Sequence, residues 1–195
     1  TIGLIVLAVP ILATVIDNGV NGWRDVKMAR LSLMTYALGL PAFIMVKVLA
    51  PGFYSRQDTR TPVKIGLIAI AANIVCNLAI VLPWYQLGYI GPHAGLALST
   101  AISGFVNASL LFIGLKRLGL IKGAKGWPVY LAKIIAASCL MAIAVWYLNP
   151  DDSWWQASGV WLKVSMLGGL VLVAMVAYLL AILSLGLRPV RLLKQ

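Results

Sequence analysis

Six long apolar runs separated by short polar connections constrain the fold of this chain more than any other feature. The runs cover roughly residues 1–16, 29–50, 62–83, 94–115, 128–148 and 160–186. About 20 apolar residues suffice to cross the hydrocarbon core of a bilayer, and a crossing segment must be helical because lipid offers no partner to an unpaired backbone group. Charged residues make up 11% of the sequence, against about 25% in a soluble domain. We therefore expect an all-α, polytopic membrane bundle of six transmembrane helices.

The first run is shorter than the others. Residues 2–16 would form about 22 Å of helix, against a hydrocarbon core of about 30 Å, so we expect this first helix to be truncated. The basic connection after the fourth run indicates a boundary. We expect residues 1–117 to form a four-helix part of a lobe, 118–127 a basic cytoplasmic linker, and 128–195 a terminal helix pair with a basic tail.

The positive charge is concentrated at the ends of the apolar runs. The sequence holds 16 Lys and Arg residues and 5 acids, for a net charge of +11. Such a balance can indicate nucleic-acid binding, but cations that flank membrane spans are better explained by anionic headgroups and the positive-inside bias. Eleven of the cations lie on one predicted face: Arg56, Arg60, Lys64, Lys116, Arg117, Lys122, Lys125, Lys133, Arg188, Arg191 and Lys194. We expect this face, with both chain ends, to be cytoplasmic, and no nucleic acid to bind.

Aromatic residues gather around the connection between the last two runs. They are Trp146, Tyr147, Trp154, Trp155 and Trp161. Amphipathic rings prefer the membrane–water interface, so this group predicts an anchoring belt.

Polar residues inside the third run are the first candidates for function. Asn73 and Asn77 lie four residues apart and therefore share one helix face, which Gly66 and Ala69 extend. They could join helices by hydrogen bonds, or line a water-filled cavity. Small residues at four-residue spacing in the fourth run, such as Ser99 and Ser103, predict close helix packing.

The second run contains a proline and a lysine. Pro41 removes a backbone donor and predicts a kink. Lys47 lies a few residues from the predicted cytoplasmic end. Its side chain could extend to the headgroups, or it could face a cavity that receives an anionic substrate.

The connection between the second and third runs carries alternating charges. Arg56, Asp58 and Arg60 precede Thr61 and Pro62. Asp and Thr accept hydrogen bonds from free N–H groups at a helix start, and Pro suits the first helical turn, so the segment could be a helix cap. It could also be a cytoplasmic gate latch in which Asp58 exchanges basic partners.

Residue types that support catalysis are scarce. The sequence contains no Glu and one histidine, His93, and no Ser-His-Asp set is evident. Cys76 and Cys139 lie inside apolar runs, where packing explains them. We expect a transporter rather than an enzyme, with no cofactor and no metal.

Two segments carry a resemblance to a known family. Residues 38–65 read LGLPAFIMVKVLAPGFYSRQDTRTPVKI, and residues 93–111 read HAGLALSTAISGFVNASLL. Both segments closely resemble the MurJ (MviN) family of lipid II flippases. The resemblance reaches most of the chain, and in the last two runs it is one of length and placement.

The resemblance implies a fold and an activity. The family has fourteen helices in two lobes plus a terminal pair, within the multidrug, oligosaccharidyl-lipid and polysaccharide exporter superfamily, and this chain looks like helices nine to fourteen. The implied activity is movement of the undecaprenyl-pyrophosphate-linked peptidoglycan precursor across the bacterial cytoplasmic (inner) membrane by alternating access, for cell-wall biogenesis and cell shape. By motif, Lys47, Arg56, Asp58 and Arg60 carry over as substrate-cavity or gate candidates.

The implied partners are the lipid-linked precursor, membrane lipids, an amino-terminal lobe absent from this sequence, and other cell-wall synthesis proteins. Two alternatives stay open at this point. One is another exporter of the same superfamily, carrying an O-antigen lipid or a drug. The other is a non-transporting membrane scaffold.

Overall fold

A computed structural model describes residues 1–16, 22–86, 92–121 and 126–186, and this part of the chain is helical with turns and no strand. The helices are α1 (Ile2–Val6), α2 (Ala8–Val15), α3 (Trp23–Tyr54), α4 (Arg60–Gln86), α5 (Pro92–Arg117), α6 (Trp127–Leu148), α7 (Asp152–Ala157) and α8 (Val160–Ser184). Five of them, α3, α4, α5, α6 and α8, are long and apolar enough to cross a membrane. The all-α membrane bundle is thereby confirmed.

The first apolar run forms two short helices instead of one. The helix is interrupted at Leu7, which separates α1 from α2. Pro10 explains the interruption, because a proline ring clashes with the carbonyl of the residue four positions earlier, here Val6, and offers it no N–H donor. The sequence-based expectation of one truncated helix did not include this break.

The contacts divide the chain into two compact units. Unit 1 contains residue 1 and residues 28–123, and unit 2 contains residues 2–27 and 124–195. The predicted domain boundaries at 117 and 128 stay a prediction. Much of the predicted linker and all of the basic tail that carries Arg188, Arg191 and Lys194 lie outside the described residues.

In unit 1, α5 packs against both α4 and α3. An added Cβ at Gly39 of α3 would lie 2.9 Å from the Cα of Ala101 in α5, so the two backbones approach each other closely at this point. Glycine permits such an approach because it has no side chain. Towards the other end of α3, the buried side chains of Phe53, Ile65 and Leu115 join the three helices in one apolar cluster.

In unit 2, α6 and α8 pack against each other, and α1 and α2 pack against this pair. The apolar core there includes Val26, Val145, Leu170 and the fully buried Trp155. The indole N–H of Trp155 donates a hydrogen bond of 3.0 Å to Asn149 Oδ1. Trp155 is therefore packed inside unit 2, whereas Trp146 and Trp161 are 73% and 86% exposed, and the interfacial belt stays a prediction.

Two lysines, Lys133 and Lys163, have defined places in the last helix pair. The Lys133 Nζ of α6 donates a hydrogen bond of 2.8 Å to the carbonyl of Leu185, just after α8 ends. A cation there offsets the negative end of the helix dipole. Lys163, in the first turn of α8, is 3% exposed.

Candidate functional site

The two asparagines predicted on one helix face form a polar seam with α5. Asn73 Nδ2 lies 3.5 Å from Thr100 Oγ1 and 3.4 Å from Ser103 Oγ. These bonds are longer than the usual 2.7–3.2 Å range. Asn77 Nδ2 donates a shorter bond of 3.0 Å to Asn73 Oδ1. The asparagine seam, defined as Asn73, Asn77, Thr100 and Ser103, thus links α4 to α5.

The hydroxyl groups of the seam accept from Asn73 because their own protons are used within α5. Thr100 Oγ1 donates to the carbonyl of Leu96 at 2.9 Å, and Ser103 Oγ donates to the carbonyl of Thr100 at 2.9 Å. Each oxygen therefore keeps its lone pairs for the asparagine amide. The small side chains of α5 that predicted close packing thus also supply hydrogen-bond acceptors, a second role that the spacing alone did not indicate.

One atom of the seam is left without a partner. Asn77 Oδ1 is buried and accepts no hydrogen bond from any described residue. Buried polar atoms normally have partners, and each exception calls for an explanation. This carbonyl oxygen can accept a hydrogen bond from a water molecule or from a donor group on a ligand. The seam therefore joins two helices, as one interpretation of the asparagines predicted. Its free acceptor is also compatible with the other interpretation, in which the asparagines line a water-filled cavity.

Lys47 lies on an exposed face of α3. Its side chain is exposed, and its neighbours on the same face of α3, Ile44 and Val48, are 61% and 70% exposed. The opposite face of α3 carries the buried Ala42 and Phe53, which pack within unit 1. None of the hydrogen bonds described for Asn73 and Asn77 involves Lys47.

The connection between α3 and α4 is a tight corner that is closed by hydrogen bonds on both sides. Gln57 has φ = 60°, the Asp58 N–H donates to the carbonyl of Phe53 at 3.2 Å, and the Gln57 N–H donates to that of Tyr54 at 2.9 Å. This pair of bonds around a left-handed residue is the Schellman termination of a helix. It satisfies two carbonyl groups that α3 would otherwise leave without donors.

Asp58 precedes α4 and caps its start. Its Oδ1 accepts a hydrogen bond of 3.0 Å from the Thr61 N–H. Hydrogen bonds from the Thr61 side chain and backbone lower the pKa of the Asp58 carboxyl, and the charge of Lys64 adds a smaller favourable effect. Neither Arg56 nor Arg60 supplies that charge, so the capping interpretation describes the observed state.

The remaining candidate residues from the sequence are Arg56, Arg60 and Pro41. Arg56 and Arg60 are exposed at the corner. Pro41 lies inside α3, which continues through it as one helix from Trp23 to Tyr54, and the predicted kink stays a prediction. No group of three or more His, Cys, Asp or Glu side chains that could hold a metal ion occurs among the described residues.

Comparison with known proteins addresses the family directly. Residues 1–172 match the family model described as lipid II flippase MurJ. The chain belongs to the MurJ family of lipid II flippases. A probable lipid II flippase MurJ of Haemophilus influenzae is 36% identical over 192 residues, which are 98% of this chain and 36% of the relative. The one of Vibrio cholerae is 37% identical over 187 residues, 96% of this chain and 34% of the relative.

A third relative, the lipid II flippase MurJ of Burkholderia cenocepacia, is 33% identical over 153 residues, 78% of this chain and 28% of the relative. The chain thus spans about a third of the length of these relatives. The MurJ match ends within α8 and includes Lys47, the asparagine seam and the corner. Family membership and the five apolar helices make this chain part of a multi-pass membrane protein.

Proposed function

We propose that this chain is the carboxy-terminal part of a lipid II flippase and forms one side of the passage for the lipid-linked peptidoglycan precursor. The observation that carries the proposal is the MurJ match over residues 1–172, which three relatives named as lipid II flippases support. Because the chain spans about a third of those relatives, the activity is assigned to a longer protein. An amino-terminal lobe would complete the passage, and the two sides would alternate in access.

This proposal extends to location and partners. We place the protein in the bacterial cytoplasmic membrane, with the α3–α4 corner and the end of α5 on the cytoplasmic side, because cations concentrate there. The substrate is the undecaprenyl-pyrophosphate-linked precursor, and other cell-wall synthesis proteins are further partners. Transport needs no bond-breaking by this chain, which is consistent with its scarcity of catalytic residue types.

At the residue level, we assign separate roles to the three candidate groups. The asparagine seam holds α4 to α5 within the membrane, and Asn77 Oδ1 is a buried acceptor to which no described residue donates a hydrogen bond. Lys47 lies exposed on α3 and would meet the anionic headgroup of the substrate. The corner of Arg56, Asp58 and Arg60 joins α3 to α4 as a fixed connection. A latch at Asp58 would require its bond to Thr61 to break during the cycle.

A chimera tests the proposal. In the chimera, this chain replaces the matching segment of the Vibrio cholerae relative. The chimera is expressed in cells depleted of their own flippase. We expect the chimera to restore growth and cell shape. A chimera that reaches the membrane in normal amounts and restores neither would contradict the proposal.

The role of Lys47 has a matched control on the same helix. In the chimera, Lys47→Gln should reduce rescue, because it removes the charge proposed to meet the substrate. Lys27→Gln removes another exposed charge, at the other end of α3, and should retain rescue. Equal rescue by the two variants would remove Lys47 from the site.

A further inference from the structure

An exposed tyrosine lies in the middle of a membrane-spanning helix. Tyr36 is near the centre of α3, and its side chain is 45% exposed. Tyrosine is common at the two edges of a bilayer, where its hydroxyl meets water, but Tyr36 is several turns away from either end of its helix. A hydroxyl that loses water without gaining a partner is costly in lipid. The position of Tyr36 therefore indicates that this side of α3 faces a polar space.

Tyr36 shares its helix face with Lys47. The two residues are eleven positions apart, which is about three helical turns, so their side chains leave the helix within about 20° of each other. Along the axis they are separated by about 16 Å. The opposite face of α3 carries Leu38 and Met45, which are 49% and 42% exposed and suit contact with lipid. One exposed face of α3 thus combines a phenol with an ammonium group, whereas the other is apolar.

The ring of Tyr36 is held by Phe43, which lies between the two polar residues on the same face. The ring centroids of Tyr36 and Phe43 are 5.5 Å apart, and the ring planes are tilted by 44°. Phe43 in turn occupies the space that a Cβ at Gly104 of α5 would need. A ring that is fixed before a ligand arrives loses little conformational entropy on binding. Tyr36 is therefore a preorganised aromatic surface.

We propose that Tyr36 is a platform for an amino-sugar ring of the substrate headgroup, an assignment that rests on the proposed function. One face of a sugar ring is lined by C–H groups and packs against an aromatic ring, while the sugar hydroxyls stay hydrated. In the headgroup the sugars follow directly after the pyrophosphate, which Lys47 would meet. A pyrophosphate with two sugar rings has a length comparable to the separation of Lys47 and Tyr36 along α3. Lys47 and Tyr36 would therefore hold the anionic and the sugar parts of one ligand.

Tyr54 is the matched control. It follows Lys47 by seven positions on the same face of α3, and it is 51% exposed, close to the exposure of Tyr36. It ends the helix, where the preference of tyrosine for the membrane edge explains it without a ligand. The two tyrosines thus differ in depth and hardly at all in exposure.

The test uses the purified chimera in a neutral detergent with two short-chain probes. One probe is farnesyl pyrophosphate, and the other is farnesyl pyrophosphate extended by the amino-sugar disaccharide. Thermal unfolding is followed while either probe is added, because a ligand that binds the folded state raises the unfolding temperature. The difference in affinity between the two probes isolates the contribution of the sugars.

We expect the unmodified chimera and its Tyr54→Leu variant to bind the sugar-bearing probe more tightly than farnesyl pyrophosphate. In Tyr36→Leu the affinity for the sugar-bearing probe should fall about fivefold, the loss expected for one ring contact, while the affinity for farnesyl pyrophosphate stays the same. Tyr36→Phe keeps the ring and should keep most of the affinity. Lys47→Gln should weaken the binding of both probes alike.

Three results would overturn the platform. The first is an equal loss of affinity in Tyr36→Leu and Tyr54→Leu, and the second is a loss in Tyr36→Leu that is the same for both probes, which is the sign of a purely structural role. The third is equal binding of both probes by the unmodified chimera, a measurement that does not depend on the folding of any variant. If that chimera still restores growth, the sugar platform is wrong and the proposed function stands; if it neither binds a probe nor restores growth, both are wrong.

Discussion

The close approach of α3 and α5 predicts that Gly39 tolerates no side chain. A Cβ added at Gly39 would lie 2.9 Å from Ala101 Cα, 3.0 Å from Ala101 Cβ and 3.0 Å from Phe43 Cζ. Carbon atoms in favourable contact are about 3.5–4.0 Å apart. Because the nearest atom belongs to the backbone of α5, no rotamer change can relieve the clash, and the helices must separate by roughly 0.5 Å or more.

That separation of the helices sets the expected loss of stability. A radial gap of about 0.5–1 Å forfeits about a quarter to a half of each van der Waals contact across the interface, and overpacking in proteins costs about 1–3 kcal/mol. For a chain of this size, about 1 kcal/mol corresponds to about 2–4 °C in unfolding temperature. We therefore expect Gly39→Ala to lower the unfolding temperature in detergent by roughly 2–12 °C.

Gly66→Ala is the matched control. Gly66 lies in α4, and an added Cβ there would meet nothing within 4 Å. Both substitutions gain the same helix propensity, so the difference between them isolates packing. If circular dichroism finds the two variants equally stable, the close α3–α5 contact is wrong.

Three further changes test the corner and the last helix pair. Gln57→Gly should raise stability by about 1 kcal/mol, because φ = 60° strains a residue with a Cβ; thermal unfolding measures this, and a loss of stability would contradict the assigned backbone. The lowered pKa of Asp58 means that its stabilisation is complete above its ordinary value of 3.8 and is lost as the pH falls through the folded-state pKa. The unfolding temperatures of the unmodified chain and Asp58→Asn should therefore converge in acid, and a constant difference would exclude the ionised cap. Lys133→Met should destabilise the end of α8 by about 1 kcal/mol and speed amide hydrogen exchange there, whereas Lys133→Arg should retain most protection; equal exchange in both would exclude the bond to Leu185.

Much of the architecture followed from the sequence because membrane spans are determined by composition and length. The five long helices lie where long apolar runs occur, since any such run must become a helix in lipid. The cap at Asp58 was one of two interpretations of its segment, and the residue types of a helix start pointed to it. These features are local, so they can be read without knowledge of the partner helices.

Features that depend on contacts between helices were not available from the pattern. The asparagine pair was predicted to share a face, but its partners Thr100 and Ser103 depend on how α4 and α5 are rotated against each other. Trp155 was predicted to anchor at the membrane interface because of its residue type, and the sequence did not show that its side chain is buried with its N–H satisfied by Asn149. Whether such a side chain is buried or exposed depends on tertiary packing, which residue type alone does not reveal.

We propose that this chain forms one side of a lipid II flippase. The most direct measurement is the amount of lipid-linked precursor that becomes accessible at the outer leaflet in flippase-depleted cells that carry the chimera. We expect an amount close to that given by the unmodified Vibrio cholerae relative. An amount no greater than in depleted cells without a flippase, with the chimera inserted at normal levels, would contradict it.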